Sequence, residues 1–165
     1  MIALLDTNVI VRFLVSDKSS QYKNLYSFFE SLEYGKMKVE LKLIVLFQVL
    51  FVLKSFYKVP KDQIANGIID LLKYKGIIIK NKTMIRRMME MWCNKKLDIV
   101  DCYLIAILEN DSQNLLYSYD RDFDKFNINR KEPWLFIANL IFRLPAAHSP
   151  ISPAKKSCAN YLSPL

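Results

Sequence analysis

Three stretches set carboxylates beside apolar runs: MIALLDTNVIVRFL, LDIVDCYLIAIL and YSYDRDFDKF. Asp6 closes the first apolar run and is followed at once by Thr7 and Asn8. Asp, Thr and Asn are good turn and N-cap residues, so the tripeptide can simply end a strand and begin a helix. The same place, the carboxyl end of a buried parallel strand, is also where open α/β sheets hold ligands. Asp98 and Asp101 lie three residues apart at the start of a predicted helix and share a face. Asp98 suits an N-cap, and either acid is favourable at the positive end of the helix. Asp101 has Ile99, Val100, Leu104, Ile105 and Leu108 around it, which places it near the buried stripe. A lone carboxylate there is costly unless paired or metal-bound. Asp120 ends the apolar run LLYSY as Asp6 ends the first; Asp122 suits the cap of a short helix starting near Phe123, and Asp124 a solvated charge.

An acid after the first strand, one early in a late helix and one after the following strand can converge at one end of a parallel sheet. Carboxylates gathered there repel one another unless a cation sits between them. Oxygen donors without His or Cys select hard ions, Mg²⁺ or Mn²⁺. Such a centre activates water and stabilises a phosphoryl transition state. The chain carries a net charge of +8, and a basic surface around an acidic pocket fits a nuclease whose lysines hold the phosphate backbone.

Other chemistries lose ground on composition. The single histidine, His148, lies in a Pro-rich stretch, which disfavours a His base and a zinc site. Three glycines are too few for a phosphate-cradling loop. Cys93, Cys102 and Cys158 have no metal-like spacing and suit reduced thiols in the cytoplasm. No apolar stretch reaches the roughly eighteen residues that span a bilayer, and the start lacks a basic leader.

The elements that must position these acids follow from periodicity. IALL (2–5) predicts a short, fully buried strand. A helix or turn follows over about 8–15, and Ser16 or Asp17 caps a helix running to about Tyr34, with Tyr22, Leu25, Tyr26, Phe29 and Leu32 as its stripe. Gly35 ends it. Alternating Val39, Leu41 and Leu43 suit a brief second strand, and IVLFQVLFVLKSFY from Ile44 to Tyr57 a buried helix, apolar nearly all round. Pro60 suits the first residue of the next helix, with Ile64, Ile68, Leu71 and Leu72 inward. Ile77–Ile79 suits a strand, 83–94 a Met-rich helix, 98–110 another, and 115–119 the last strand. Strand–helix alternation implies a parallel sheet covered on both faces. After Pro133 the rhythm stops, so residues 1–133 form the domain and the Pro-rich 134–165 an appendage outside the fold.

Taken in order, LLDTNVIVRFL, KLIVLFQVLFVLKSFYKVP, LDIVDCYLIAILEN and LLYSYDRDFDKF resemble the PIN domain, closest to the VapC-type toxins of toxin–antitoxin pairs. The resemblance covers about residues 2–133. It implies a three-layer α/β/α sandwich with a central parallel sheet, a metal-dependent endoribonuclease, commonly a homodimer, held in check by a small antitoxin protein. It matches Asp6, Asp101 and Asp120 to the metal-binding, catalytic acids, with Asn8, Asp98 and Asp122 in support. One position departs: Gln48 stands where the family has a glutamate, keeping an oxygen but no charge. Two readings follow, an RNA-cleaving toxin and a catalytically impaired module that binds RNA or an antitoxin-like protein. A structural domain without a site would need the placement of the acids to be coincidence.

Overall fold

The computed structural model describes residues 3–16, 24–111 and 113–133. The order is β1 (Ala3–Leu4), α1 (Thr7–Leu14), α2 (Leu25–Glu33), β2 (Val39–Glu40), α3 (Leu43–Ser55), α4 (Lys61–Leu71), β3 (Ile77–Ile78), α5 (Lys82–Asn94), α6 (Ile99–Asn110), β4 (Leu116–Tyr117), a 3-10 helix (Arg121–Lys125) and β5 (Arg130–Lys131). Every strand pairing among the described residues is parallel. β1, β2 and β3 form one ladder, with Ala3, Val39 and Ile77 in one row and Leu4, Glu40 and Ile78 in the next. β4 pairs with β5 in a second. Parallel neighbours require long crossovers, and helices supply each of those within the first ladder. The parallel sheet with its six helices matches the expected three-layer α/β/α arrangement.

The core is one cluster. Val39, Leu41 and Ile77 of the sheet region meet Leu46, Val49 and Leu53 of α3, Ile64 and Ile68 of α4, and Met88 and Trp92 of α5. The inward stripe expected for α4 is buried throughout, Leu72 included. Pro60 precedes that helix as its N-cap instead of opening it. At the amino end of the sheet the packing is tight enough to dictate a residue. The Gly76 N–H donates to Leu32 O at 2.7 Å and its carbonyl accepts from Val39 N at 2.8 Å. A Cβ at Gly76 would lie 2.1 Å from Met37 O, so only glycine fits there.

Several expectations are corrected. IALL is not fully buried: Leu5 is, but Ala3 and Leu4 are exposed, Leu4 at 64%, on a strand that lies at the edge of its ladder. α3 is not buried all round either, since Ile44 and Phe51 are 74% and 69% exposed along its outer stripe. The helix ending at Gly35 is described from Leu25, and Gly35 takes φ +76°, which favours glycine. Its expected start at Ser16 or Asp17, with Tyr22, falls on residues 17–23, outside those described except for Ser16, which lies beyond the end of α1. Leu43 begins α3 instead of continuing the second strand. LLYSY does not supply the last strand, for β5 follows it. Arg130–Lys131 are charged and lack the apolar alternation that marks a strand. The appendage at 134–165 lies outside the described residues.

Candidate active site

Each acid that ends a strand or loop is first put to use by the backbone. Asp6 is the N-cap of α1, in extended conformation, and its Oδ2 accepts from Asn8 N at 3.1 Å. Asp98 caps α6 in the same way through Val100 N at 3.1 Å. Asp120 caps the 3-10 helix through Asp122 N at 2.8 Å, and its own N–H donates to Ser118 Oγ. The cap of that helix is therefore Asp120, not Asp122, whose carboxylate accepts from Lys125 Nζ at 2.6 Å. A capping carboxylate spends one lone pair of about four, so capping and ligation are compatible. Asp124 is exposed but not merely solvated: Arg130 of β5 holds both its oxygens, at 2.6 and 3.0 Å, and keeps its carboxyl below the usual range.

Asp98, Asp101, Asp120 and Asp122 line one recess of about 70 Å³, with Lys96 at its edge and the buried Phe123 beside them. α6 delivers Asp98 and Asp101 from its first turn; the end of β4 delivers Asp120. Burial pushes the Asp101 carboxyl above the usual carboxylate range, and the negative charges of Asp98, Asp120 and Asp122 push the same way. The recess thus holds a concentration of negative charge whose least solvated member is Asp101. A bound cation would relieve that repulsion.

Asp6, Asn8 and Gln48 do not line this recess. Gln48, on the outer stripe of α3, is joined to the turn after β1: its Oε1 accepts from the buried Thr7 Oγ1 at 3.0 Å. Among the described residues, no three Asp, Glu, His or Cys side chains gather closely enough to hold a metal ion. Of the sequence-predicted set, four acids are brought together and three polar residues are not. An oxygen-only carboxylate donor set suits a hard divalent cation. The residues present fit such an ion in chemistry, with the spacing between them open. Sequence reasoning missed Thr7 and Arg130. Thr7 was visible in the sequence only as a turn residue beside Asp6, and Arg130 is marked only by its clamp on Asp124.

Carboxylates from the start of α6 and from the segment after β4 thus form one acidic recess in a parallel α/β domain. The PIN domain family model matches residues 3–129, and the chain belongs to that family. PIN domains are generally nucleases, and they usually employ divalent metal ions. No curated protein sequence matches the chain. No helix among the described residues is long and apolar enough to cross a membrane.

Proposed function

We propose that this chain is a Mg²⁺-dependent endoribonuclease that hydrolyses RNA phosphodiester bonds, the toxin of a type II toxin–antitoxin pair working in the cytoplasm. One observation carries the reading: four aspartates share a recess in a chain of net charge +8, and the innermost has its carboxyl raised by burial and, beyond that, by the other three. Asp101 and Asp120 would hold Mg²⁺, or Mn²⁺, together with Asp6. When bound, the ion would supply a water of lowered pKa and polarise the scissile phosphate. Asp98 and Asp122 keep the field negative, and Asn8 supports Asp6. The Asp120 cap orients its own carboxylate, and Lys96 at the edge meets the phosphate backbone. An antitoxin protein and a second copy of the chain are its expected partners.

Gln48 favours a second reading, a PIN-fold module that binds RNA or an antitoxin-like protein without cutting. Its amide brings no charge, and its oxygen is engaged by Thr7. Cleavage of a labelled RNA pool with Mg²⁺, with Mn²⁺ and with chelator separates the two. Chelator-sensitive cutting lost in Asp101→Asn supports the enzyme. Metal-independent binding without cutting supports the module.

A further inference from the structure

We infer that the open face of α3 is a base-stacking subsite for single-stranded RNA, running from the acidic recess to a pair of lysines at the ends of β2 and β3. This rests on the ribonuclease reading for its substrate and adds to it the residues that select an unpaired strand.

A groove of about 420 Å³ lies between α3, α5 and α6, walled by Phe47, Phe51 and Trp92 with Lys54 on its margin. Its volume falls within the range of sites that take small organic ligands. Asp98 lines both this groove and the acidic recess, so the two lie side by side. At the other side, the Phe47 ring meets Tyr103 edge-on, centroids 5.6 Å apart. Tyr103 in turn lines a second cavity of about 280 Å³ that holds Lys42, Lys80 and Asn81. Lys42 is paired with Glu40 at 2.6 Å, while Lys80 is exposed. Acid, aromatic and basic surfaces therefore follow one another across neighbouring sites.

That order matches a nucleotide strand. A phosphate at the acidic recess is followed by a base, and the base by another phosphate. Aromatic rings accept any base by stacking, and lysines accept the phosphates. Phe51 is 69% exposed, so one ring offers a face for stacking. Trp92 forms part of the groove wall, but at 1% exposure its ring offers no free face, so Phe51 is the stacking ring. A base held in duplex has both faces stacked on its neighbours, so the subsite excludes double-stranded RNA. The competing occupant is a second copy of this chain laid on α3, whose outer stripe also carries Ile44.

The test is binding in chelator, where no cleavage occurs. A fluorescent single-stranded RNA, its duplex, and the same strand with abasic positions are titrated with the parent chain, Phe51→Ala, Phe51→Tyr and Lys80→Ala. Each is also weighed by light scattering. The expected result is about tenfold weaker binding for Phe51→Ala, with near-parental binding for Phe51→Tyr, since base–aromatic stacking contributes on that scale. Lys80→Ala binds more weakly and loses part of the salt dependence. The abasic strand binds the parent as weakly as the intact strand binds Phe51→Ala. Equal affinity of parent and Phe51→Ala for intact RNA, or no binding by the parent, overturns the inference. So does a dimer that Phe51→Ala converts to monomer with no change in RNA affinity. A parent that shows this binding pattern yet never cuts leaves the subsite standing and removes the nuclease reading. A parent that cuts while Phe51 is indifferent does the reverse.

Discussion

The amino end of β3 and the carboxyl end of β4 are built on opposite terms. At the amino end, backbone meets backbone: Gly76 donates to Leu32 O, Lys75 N donates to Glu33 O, and Met37 O occupies the space a side chain would need. At the carboxyl end, four carboxylates face one recess, and burial and mutual repulsion raise one of them. The first end contributes stability and has no freedom. The second gives up stability, because like charges are held together in the absence of a counter-ion. The same division of labour puts stabilising contacts and chemistry on different residues, which makes the two separable by mutation.

Gly76→Ala should show the largest effect. A methyl group driven against backbone carbonyls cannot be relieved by a rotamer change, and the expected loss is about 3 kcal/mol or more. Urea unfolding should show the drop in midpoint, with whatever folded fraction remains still cutting RNA. A variant as stable as the parent would break the contrast at its amino end.

Asp101→Asn should do the converse. Cleavage falls roughly a hundredfold or more, while the metal-free protein melts higher at neutral pH. The sign follows from the raised carboxyl of Asp101. A group whose pKa is higher folded than unfolded favours folding while protonated. That contribution is complete below the ordinary carboxylate value and lost as pH rises through the folded one. Melting temperatures measured from acid to neutral pH should therefore fall less steeply in Asp101→Asn than in the parent. Parallel curves would mean that Asp101 is not strained by its neighbours.

Gln48→Glu should sharpen the carboxyl end. A carboxylate still accepts from Thr7 Oγ1 and adds a charge of nearly the same size and shape. About a tenfold gain in Mg²⁺ affinity is expected, on the order of 1.4 kcal/mol, read as extra thermal stabilisation by Mg²⁺. Without metal the variant should be slightly less stable. If Mg²⁺ stabilises both proteins equally, residue 48 does not face the ion.

The smallest change is expected from removing residues 134–165. The strand–helix rhythm of the sequence stops at Pro133, so the shortened chain should melt cooperatively near the parent temperature. Aggregation or a broad transition would instead assign WLFIANLIF to the core.

Much of this was legible in the sequence. Periodicity located all but one strand, and the inner stripe of α4, because burial imposes spacing. The family was legible because four motifs occur in order, which no single motif could establish. Less legible were features that depend on a partner distant in sequence. The Thr7–Gln48 bond joins residues 41 apart. β5 carries no apolar pattern, and its Arg130 is identified only by the clamp on Asp124. The exposed stripe of α3 was hidden for a different reason: an all-apolar helix looks buried from composition alone, and its moment gives no outward direction.

Lys61 has a consequence for timing. At the start of α4, its Nζ donates to Lys95 O at 2.8 Å and Leu97 O at 3.1 Å, and it lies 5.2 Å from the centre of the Trp92 ring. Those two carbonyls belong to the segment that leads into Asp98 and the first turn of α6. One ammonium group thus fastens the hinge between α5 and α6 from behind. Asp98 and the first turn of α6 are thereby anchored by the fold itself, and a ligand at the recess is spared the entropy of fixing that turn.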